Sequence, residues 1–231
     1  MEENMNNKQN YSGAFVCLGM FYVTCLLISN LVAGKMWAVT GSITLPAAVV
    51  LFPVTYIFGD IFTEVYGFQK ARLIIWMGFF SSFFAVVMYM ITIVLPHPDF
   101  WTNQEAFADV LGTTPRVFAA SLAGYLVGEF SNSVILSKMK IWTKGKKLWM
   151  RTITSTIVGE AFDSILFIMI SFYGTIPVNT LLPMVLGQYL FKLTFEVVCT
   201  PLTYIAVNHL KKIEGIDTFD SEIKYSLFER N

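Results

Sequence analysis

Six long apolar segments constrain this 231-residue chain more than any other feature. A helix needs about 20 mostly apolar residues to cross the roughly 30 Å hydrocarbon core of a bilayer. Because 55% of the residues are hydrophobic and only 14% are charged, lipid suits most of the chain better than water. The sequence therefore predicts an all-α, polytopic membrane bundle of about six transmembrane helices, at residues 14–32, 43–62, 73–95, 117–136, 153–173 and 182–207.

Lysine and arginine are divided unequally between the two sets of predicted loops. One set, on the side of both termini, holds Lys70, Arg72, Lys138, Lys140, Lys144, Lys146, Lys147, Arg151, Lys211 and Lys212. The other set holds only Lys35 and Arg116. Since positive loops stay in the cytoplasm, the bias predicts an N-in, C-in protein of the bacterial cytoplasmic membrane. We expect a cytoplasmic tail over 1–13, a six-helix domain over 14–208 and a second cytoplasmic tail over 209–231.

Two local patterns refine this picture. Prolines at 46, 53, 183 and 201 lie inside or at the edges of the second and sixth apolar segments, where they free backbone groups and predict kinked helices. The loop over 96–116 contains Thr102 and Glu105 in the spacing of a capping box, followed by apolar residues at helical spacing. This loop is predicted to hold a short surface helix.

Ionisable residues inside the apolar segments are the best candidates for a functional site. Each costs roughly 2.5 to 3.5 kcal/mol to insert, so such groups tend to face a cavity or a partner. They recur at three- or four-residue spacing, which places each pair on one helical face. The pairs are Asp60 with Glu64, Glu129 with Asn132, Glu160 with Asp163, and Lys192 with Glu196.

Lys192 allows a structural and a functional interpretation of these acids. It could form a buried ion pair with Glu196 or with an acid of another span and simply fix the packing of the helices. One lysine can neutralise only one carboxylate, however, and an unpaired carboxylate in a low dielectric must protonate or bind a cationic or donor-rich group. The surplus of acids favours a polar binding pocket, with aromatic residues such as Phe62, Tyr66 and Phe162 stacking on a flat ligand.

A short pattern of glycine followed by an acid occurs three times, at Gly59-Asp60, Gly128-Glu129 and Gly159-Glu160. The offset of one hundred residues between the first and third copies is compatible with an inverted duplication of three spans. A chance origin of so short a pattern remains the alternative.

Several functions are not expected. Zero formal net charge argues against nucleic-acid binding, and the two histidines, His97 and His209, lie outside the apolar segments, where they form no HExxH motif. The three cysteines lack the spacing of metal ligands, and no Walker motif is present. The sequence therefore predicts neither an enzyme nor a protein with a cofactor or a metal site.

A set of motifs from the second span onward resembles the queuosine precursor transporter family, also described as a vitamin uptake transporter family. The motifs are Phe52-Pro53, Asp60-x-x-x-Glu64-x-Tyr66-Gly67, Ala71-Arg72, Ser155-x-x-x-Gly159-x-x-x-Asp163-Ser164 and Phe191-Lys192. The resemblance implies import of 7-deazaguanine compounds, flat guanine-like heterocycles, one of which carries an aminomethyl cation. Asp60, Arg72, Asp163 and Lys192 match positions of the family pattern, and the resemblance implies that they are functional. Glu129, Glu160 and Glu196 are candidates only because they lie inside predicted spans.

The sequence thus predicts a transporter whose substrate-binding candidates are Asp163, Glu160, Lys192, Glu129, Asn132, Asp60, Glu64, Glu196 and Arg72. Asp163 and Glu160 are expected to accept the donor edge of a deazapurine, and Lys192 to orient the acids or contact a carbonyl oxygen. The alternative is a substrate-binding membrane subunit of an ATP-driven vitamin importer. The expected partners are a small molecule and the lipid bilayer, and the sequence also allows a homo-oligomer.

Overall fold

The computed structural model describes residues 11–33, 35–40, 43–112, 115–174, 177–221 and 223–228. Helices dominate, and a small antiparallel hairpin follows the first helix. The elements are α1 (Gly13–Val32), β1 (Met36–Thr40), β2 (Ile43–Pro46), a 3-10 turn (Ala47–Val50), α2 (Phe52–Ile61), a π-helical turn (Phe62–Tyr66), α3 (Phe68–Val94), α4 (Gln104–Leu111), α5 (Pro115–Trp142), α6 (Leu148–Phe172) and α7 (Val178–Glu214).

The prediction of a polytopic helical membrane bundle is confirmed. Within the described residues, five stretches contain a helix long and apolar enough to cross a bilayer. Four of these stretches contain α1, α3, α6 and α7, and the fifth runs from α4 through α5. Large apolar side chains point outward from these helices, among them Phe80, Phe84, Leu182 and Val198, each more than half exposed. Lipid is the environment that suits such a surface.

The second predicted span differs from the single kinked helix expected over 43–62. Its first residues form β2, and the helical part is a composite of the 3-10 turn, α2 and the π-helical turn. Pro53 occupies the first turn of α2, where a missing N–H is tolerated, so it starts the helix instead of kinking it. Taken together, residues 47–66 rise roughly 30 Å, enough for a crossing.

A contact between Ser12 and Glu214 requires an even number of crossings between these two residues. The hydroxyl of Ser12, which caps α1, donates a 2.8 Å hydrogen bond to a carboxylate oxygen of Glu214 in the last turn of α7. These two residues therefore lie at the same end of the bundle. Five long helices and the composite segment give the six crossings that this arrangement requires.

We call this end, which holds Ser12, Gly67, the turn over 143–147 and residues 215–221 and 223–228, the tail end. The residues after α7 fold back onto it: the main-chain N–H of Phe68 donates to Asp220, and the indole N–H of Trp76 donates to the carbonyl oxygen of Leu227. The opposite end, which holds the hairpin and α4, is the loop end. The short helix predicted in the loop over 96–116 is confirmed as α4.

The helices pack most closely where α5 crosses α6, a contact made by glycines. A methyl group on Gly159 would lie 2.9 Å from the carbonyl oxygen of Gly128, so neither position has room for a side chain. The space beside Gly124, one turn earlier on α5, is likewise occupied by Asp163 of α6. Small residues spaced in this way let helix backbones approach within a membrane. The crossing therefore brings the acids that follow these glycines into one layer of the bundle.

Candidate functional site

Lys192 of α7 is the centre of a buried polar group. Its ammonium lies 2.9 Å from a carboxylate oxygen of Glu160 and also contacts Asp163, both on α6. The hydroxyl of Tyr56 on α2 lies 3.2 Å from the same ammonium. Lys192 and Glu160 are almost fully buried, and Asp163 is 8% exposed. The sequence allowed an ion pair of Lys192 either with Glu196 on its own helix or with an acid of another span. The structure contains the second kind.

A second polar group adjoins the first on the side of the tail end. The side-chain amide of Asn132 donates to Asp60 over 2.7 Å, and one oxygen of Glu129 occupies the space beside Gly59, 2.8 Å from where a methyl group would lie. Glu196, one turn after Lys192, is buried and interacts electrostatically with Asp60. The three predicted glycine and acid pairs thus meet at one level of the bundle.

A narrow cavity connects the Lys192 group with the loop end. Its volume is about 50 Å³, room for a few water molecules. Apolar residues of α1, α4 and α5 line its mouth, and polar side chains line its floor. The floor is formed by Tyr56, Tyr125, Asp163, Gln188 and Lys192.

The aromatic residues expected around the pocket lie elsewhere. Phe62 and Tyr66 pack with Phe15 in an apolar cluster nearer the tail end, and Phe162 is 46% exposed on the outer surface of α6. Aromatic side chains on the cavity wall come instead from Tyr56, Tyr89, Tyr125, Phe118 and Phe167. Residue spacing could have identified two members of the floor that the sequence analysis missed. Tyr56 precedes Asp60 by four residues on α2, and Gln188 precedes Lys192 by four residues on α7.

Glu64 does not join the Lys192 group. It lies on the π-helical turn at the tail end, fully buried, with Arg151 and Lys211 each 2.7 Å and Lys140 3.6 Å from one carboxylate oxygen. It follows Asp60 by four positions, and that turn of helix carries its side chain from the middle of the bundle to the level of Lys140 on α5 and Lys211 on α7. This charge cluster closes the tail end.

Arg72 also lies at the tail end, away from the cavity. Its guanidinium donates to the carbonyl oxygen of Ser226, so it holds the segment after α7 against α3. Asp217 in that segment pairs with Lys140 and Lys211. Burial would raise the pKa of Asp217, but hydrogen bonds from these two lysines lower it below its usual range.

The middle of the bundle holds more acids than cations. Five carboxyl groups lie between the two ends: Asp60, Glu129, Glu160, Asp163 and Glu196. Among the described residues, Lys192 is the cationic side chain that lies in the same layer. Two of the five share Lys192, while the remaining three have no ion-pair partner within the described part of the chain. Those three are Asp60, Glu129 and Glu196.

Comparisons with known proteins agree with this architecture. Residues 46–206 match the profile of a family described as "putative vitamin uptake transporter". The chain is 26% identical over 196 residues to a "probable queuosine precursor transporter" of Bacillus subtilis (strain 168), covering 84% of this chain and 83% of that protein. A protein with the same description from Haemophilus influenzae is 23% identical over 178 residues, covering 72% of this chain and 73% of its own. No solved structure is significantly similar to the chain.

The profile runs from the last residue of β2 to the last turns of α7, so it spans the cavity, the Lys192 group and the adjoining acids. Together with the long apolar helices, it shows a multi-pass transporter of the cell membrane. The chain belongs to the vitamin uptake transporter family.

Proposed function

We propose that this chain imports 7-deazaguanine precursors of queuosine for salvage into tRNA. Two kinds of observation support the proposal: both curated relatives described above carry the name of a queuosine precursor transporter, and the cavity ends on paired carboxylates beside a lysine. The observation that carries it is the position of Asp163 and Lys192 on the cavity floor, because these groups are buried inside the membrane and yet reachable from one end.

The floor of the cavity suits the polar edge of a guanine-like base. Such an edge presents two adjacent N–H donors next to a carbonyl oxygen, and a carboxylate accepts two parallel hydrogen bonds. In this proposal Asp163 and Glu160 accept the donors and the ammonium of Lys192 contacts the carbonyl oxygen. Tyr56 and Gln188 add polar contacts at the sides. An aminomethyl group on the substrate could donate hydrogen bonds to the carboxyl groups beyond Lys192 that have no ion-pair partner among the described residues.

The direction of access fits import if the loop end faces outward. The cationic loops predict that the tail end is cytoplasmic. In that orientation the cavity opens to the outside and the Glu64 cluster closes the cytoplasmic side. Glu64 and Arg72 then act where substrate leaves, whereas Glu129, Asn132, Asp60 and Glu196 lie between the cavity floor and that exit. Movement of substrate requires the helices around these groups to separate, as in alternating access.

A bacterium that depends on supplied precursor tests this function. The gene is deleted in a host unable to make 7-deazaguanine precursors, precursor is supplied at limiting concentration, and queuosine is measured in tRNA. We expect queuosine to fall sharply and to return with the wild-type gene or with Glu105→Gln, an exposed acid of α4. Lys192→Met should not restore it. Unchanged tRNA modification in the deletion strain would reject the substrate assignment.

A further inference from the structure

Glu129 is the least satisfied of the buried acids. It is 1% exposed, and neither carboxylate oxygen forms a hydrogen bond with any residue that the structure describes. The hydroxyl of Tyr22 lies beside its carboxyl group and also lies 3.0 Å from the hydroxyl of Tyr125, so it is a single donor placed between two acceptors. An ionised carboxylate in such a place would lose its hydration with little compensation.

The charged groups around Glu129 do not remove that cost. Asp60 on α2 and Glu160 and Asp163 on α6 lie near enough to repel its charge, and Glu196 on α7 lies beside Asp60. Lys192 is also near, but Glu160 and Asp163 already share it. Tyr22 on α1 and Tyr56 on α2 contribute hydroxyl groups but no charge. The neighbourhood is therefore negative, which favours a neutral, protonated carboxyl at Glu129.

A proton suits these acids better than a metal ion. The described residues contain no group of three histidine, cysteine, aspartate or glutamate side chains placed to hold a metal ion. A cation held by protein oxygens needs several ligands at once, whereas a proton needs a single carboxyl oxygen.

Hydroxyl groups link Glu129 to the cavity. Tyr125 lines the cavity, its hydroxyl lies 3.0 Å from that of Tyr22, and Tyr22 in turn adjoins Glu129. Beyond Glu129, Asp60 and its partner Asn132 lead to Thr63 and Ser133, whose hydroxyls lie 3.0 Å apart. This row of groups runs from the cavity floor towards the Glu64 cluster, and its hydroxyl and carboxyl members can each donate and accept a proton.

We propose that Glu129, with Asp60 and Glu196, is the proton-carrying site of the transporter, distinct from the Lys192 group, and that substrate enters together with a proton. Glu129 takes a proton from the outer side through the cavity and the Tyr125 and Tyr22 hydroxyls. It releases the proton to the cytoplasmic side when the helices separate at the tail end and water hydrates its carboxylate. The coupling of proton flow to substrate rests on the proposed transport function, but the protonation of Glu129 does not.

The first measurement needs no substrate. Infrared spectra of the purified protein at neutral pH should show the C=O stretch of a protonated carboxyl, and that band should weaken in Glu129→Gln but not in Glu105→Gln. Thermal unfolding of both variants should match the wild type, since glutamine replaces a neutral carboxyl with a neutral amide of the same shape. Identical bands in all three proteins would overturn the proposal whatever the substrate is.

The second measurement uses proteoliposomes with the membrane potential clamped by potassium and valinomycin, and an uncharged, radiolabelled 7-deazaguanine. A gradient of one pH unit, acid outside, should raise the accumulation ratio about tenfold if one proton accompanies each substrate, because a tenfold ratio corresponds to about 1.4 kcal/mol. In Glu129→Gln the ratio should stay near one, while exchange of labelled for unlabelled substrate continues.

Accumulation that does not depend on the pH gradient, or that follows a sodium gradient instead, would overturn the proton site and leave the transport function standing. Failure of the wild type to move the compound at all would reject the substrate, and the infrared comparison would then decide the proton site alone.

Discussion

Gly128 of α5 and Gly159 of α6 face each other so closely that a methyl group on either would lie about 3 Å from the carbonyl oxygen of the other, at 3.0 Å and 2.9 Å respectively. Each glycine is followed by a buried acid, Glu129 or Glu160. The spacing between the two helix backbones therefore also sets the positions of the two acids. The geometry of the Lys192 group depends on this crossing.

Gly159→Ala should separate the two helices. The added methyl group would lie 2.9 Å from both the carbonyl oxygen of Gly128 and the Cβ of Asn132, and backbone atoms cannot move aside without moving a helix. We expect a loss of about 1 to 3 kcal/mol in the free energy of unfolding, typical of overpacking. The measurement is thermal unfolding of purified protein in detergent. Gly187→Ala is the matched control, because no atom lies within 4 Å of the new methyl group there; equal stability of the two variants would contradict the close crossing.

Asp163→Asn separates a binding role from a structural one. Lys192 keeps Glu160 as an ion-pair partner, so its ammonium is not stranded and membrane abundance should stay near that of the wild type. The amide replaces one acceptor oxygen with a donor, a buried mismatch of about 1 to 3 kcal/mol, or roughly ten- to a hundredfold in substrate affinity. Abundance is followed by immunoblotting and affinity by the concentration dependence of uptake.

The comparison with Lys192 completes that test. Lys192→Met leaves Glu160 and Asp163 without their cation, and we expect lower abundance as well as lost uptake. If the double change of Asp163→Asn with Lys192→Met restored both abundance and uptake, the pair would be structural and Asp163 would not belong to the substrate site.

Much of the fold and part of the site were predictable from the sequence. Periodic apolar stretches and the cost of buried charge identified five long spans and the acids of the middle layer, because both are local properties. The composite second span was not predictable, since Pro46 and Pro53 interrupt an apolar run without fixing which turn replaces the helix. Glu64 and Asp60 share a helical face by spacing, yet the π-helical turn and the cations of distant helices separate their environments. Pairing between helices is non-local, and spacing alone does not reveal it.

Glu64→Gln should weaken the closure of the tail end. It removes the carboxylate that pairs with Arg151, Lys140 and Lys211, and breaking a buried ion pair costs about 3 to 5 kcal/mol. Because Asp217 still pairs with both lysines, we expect a loss near the lower limit. Thermal unfolding measures it, with Glu105→Gln as the exposed control. A melting temperature equal to the control would show that the cluster does not stabilise the tail end.

Asp217 gives the tail end a defined dependence on pH. Its pKa in the folded protein is below the ordinary value of 3.8, although burial alone would raise it. A lowered pKa stabilises the folded state above the ordinary value and loses that effect as the pH falls through the folded value. Wild type and Asp217→Asn should therefore differ in melting temperature equally at pH 7 and pH 5, and the difference should shrink below pH 3.8. A difference that grew on acidification would contradict the pairing with Lys140 and Lys211.

The orientation of the two ends is testable by labelling. Single cysteines at Lys144 and Glu105 are introduced after Cys17, Cys25 and Cys199 are replaced by alanine. In intact cells an impermeant maleimide should label the cysteine at 105 and spare the one at 144, because the cationic turn is expected in the cytoplasm. The opposite pattern would reverse the orientation and the direction of the cavity.

The most direct test of the account is uptake of a radiolabelled 7-deazaguanine by proteoliposomes that contain the purified chain and no other protein. The account predicts saturable uptake by the wild type, unchanged in Glu105→Gln, with a much weaker apparent affinity in Asp163→Asn and no uptake in Lys192→Met. Uptake that appears only when an ATPase module and ATP are added would contradict it and assign the chain as the substrate-binding subunit of an ATP-driven importer.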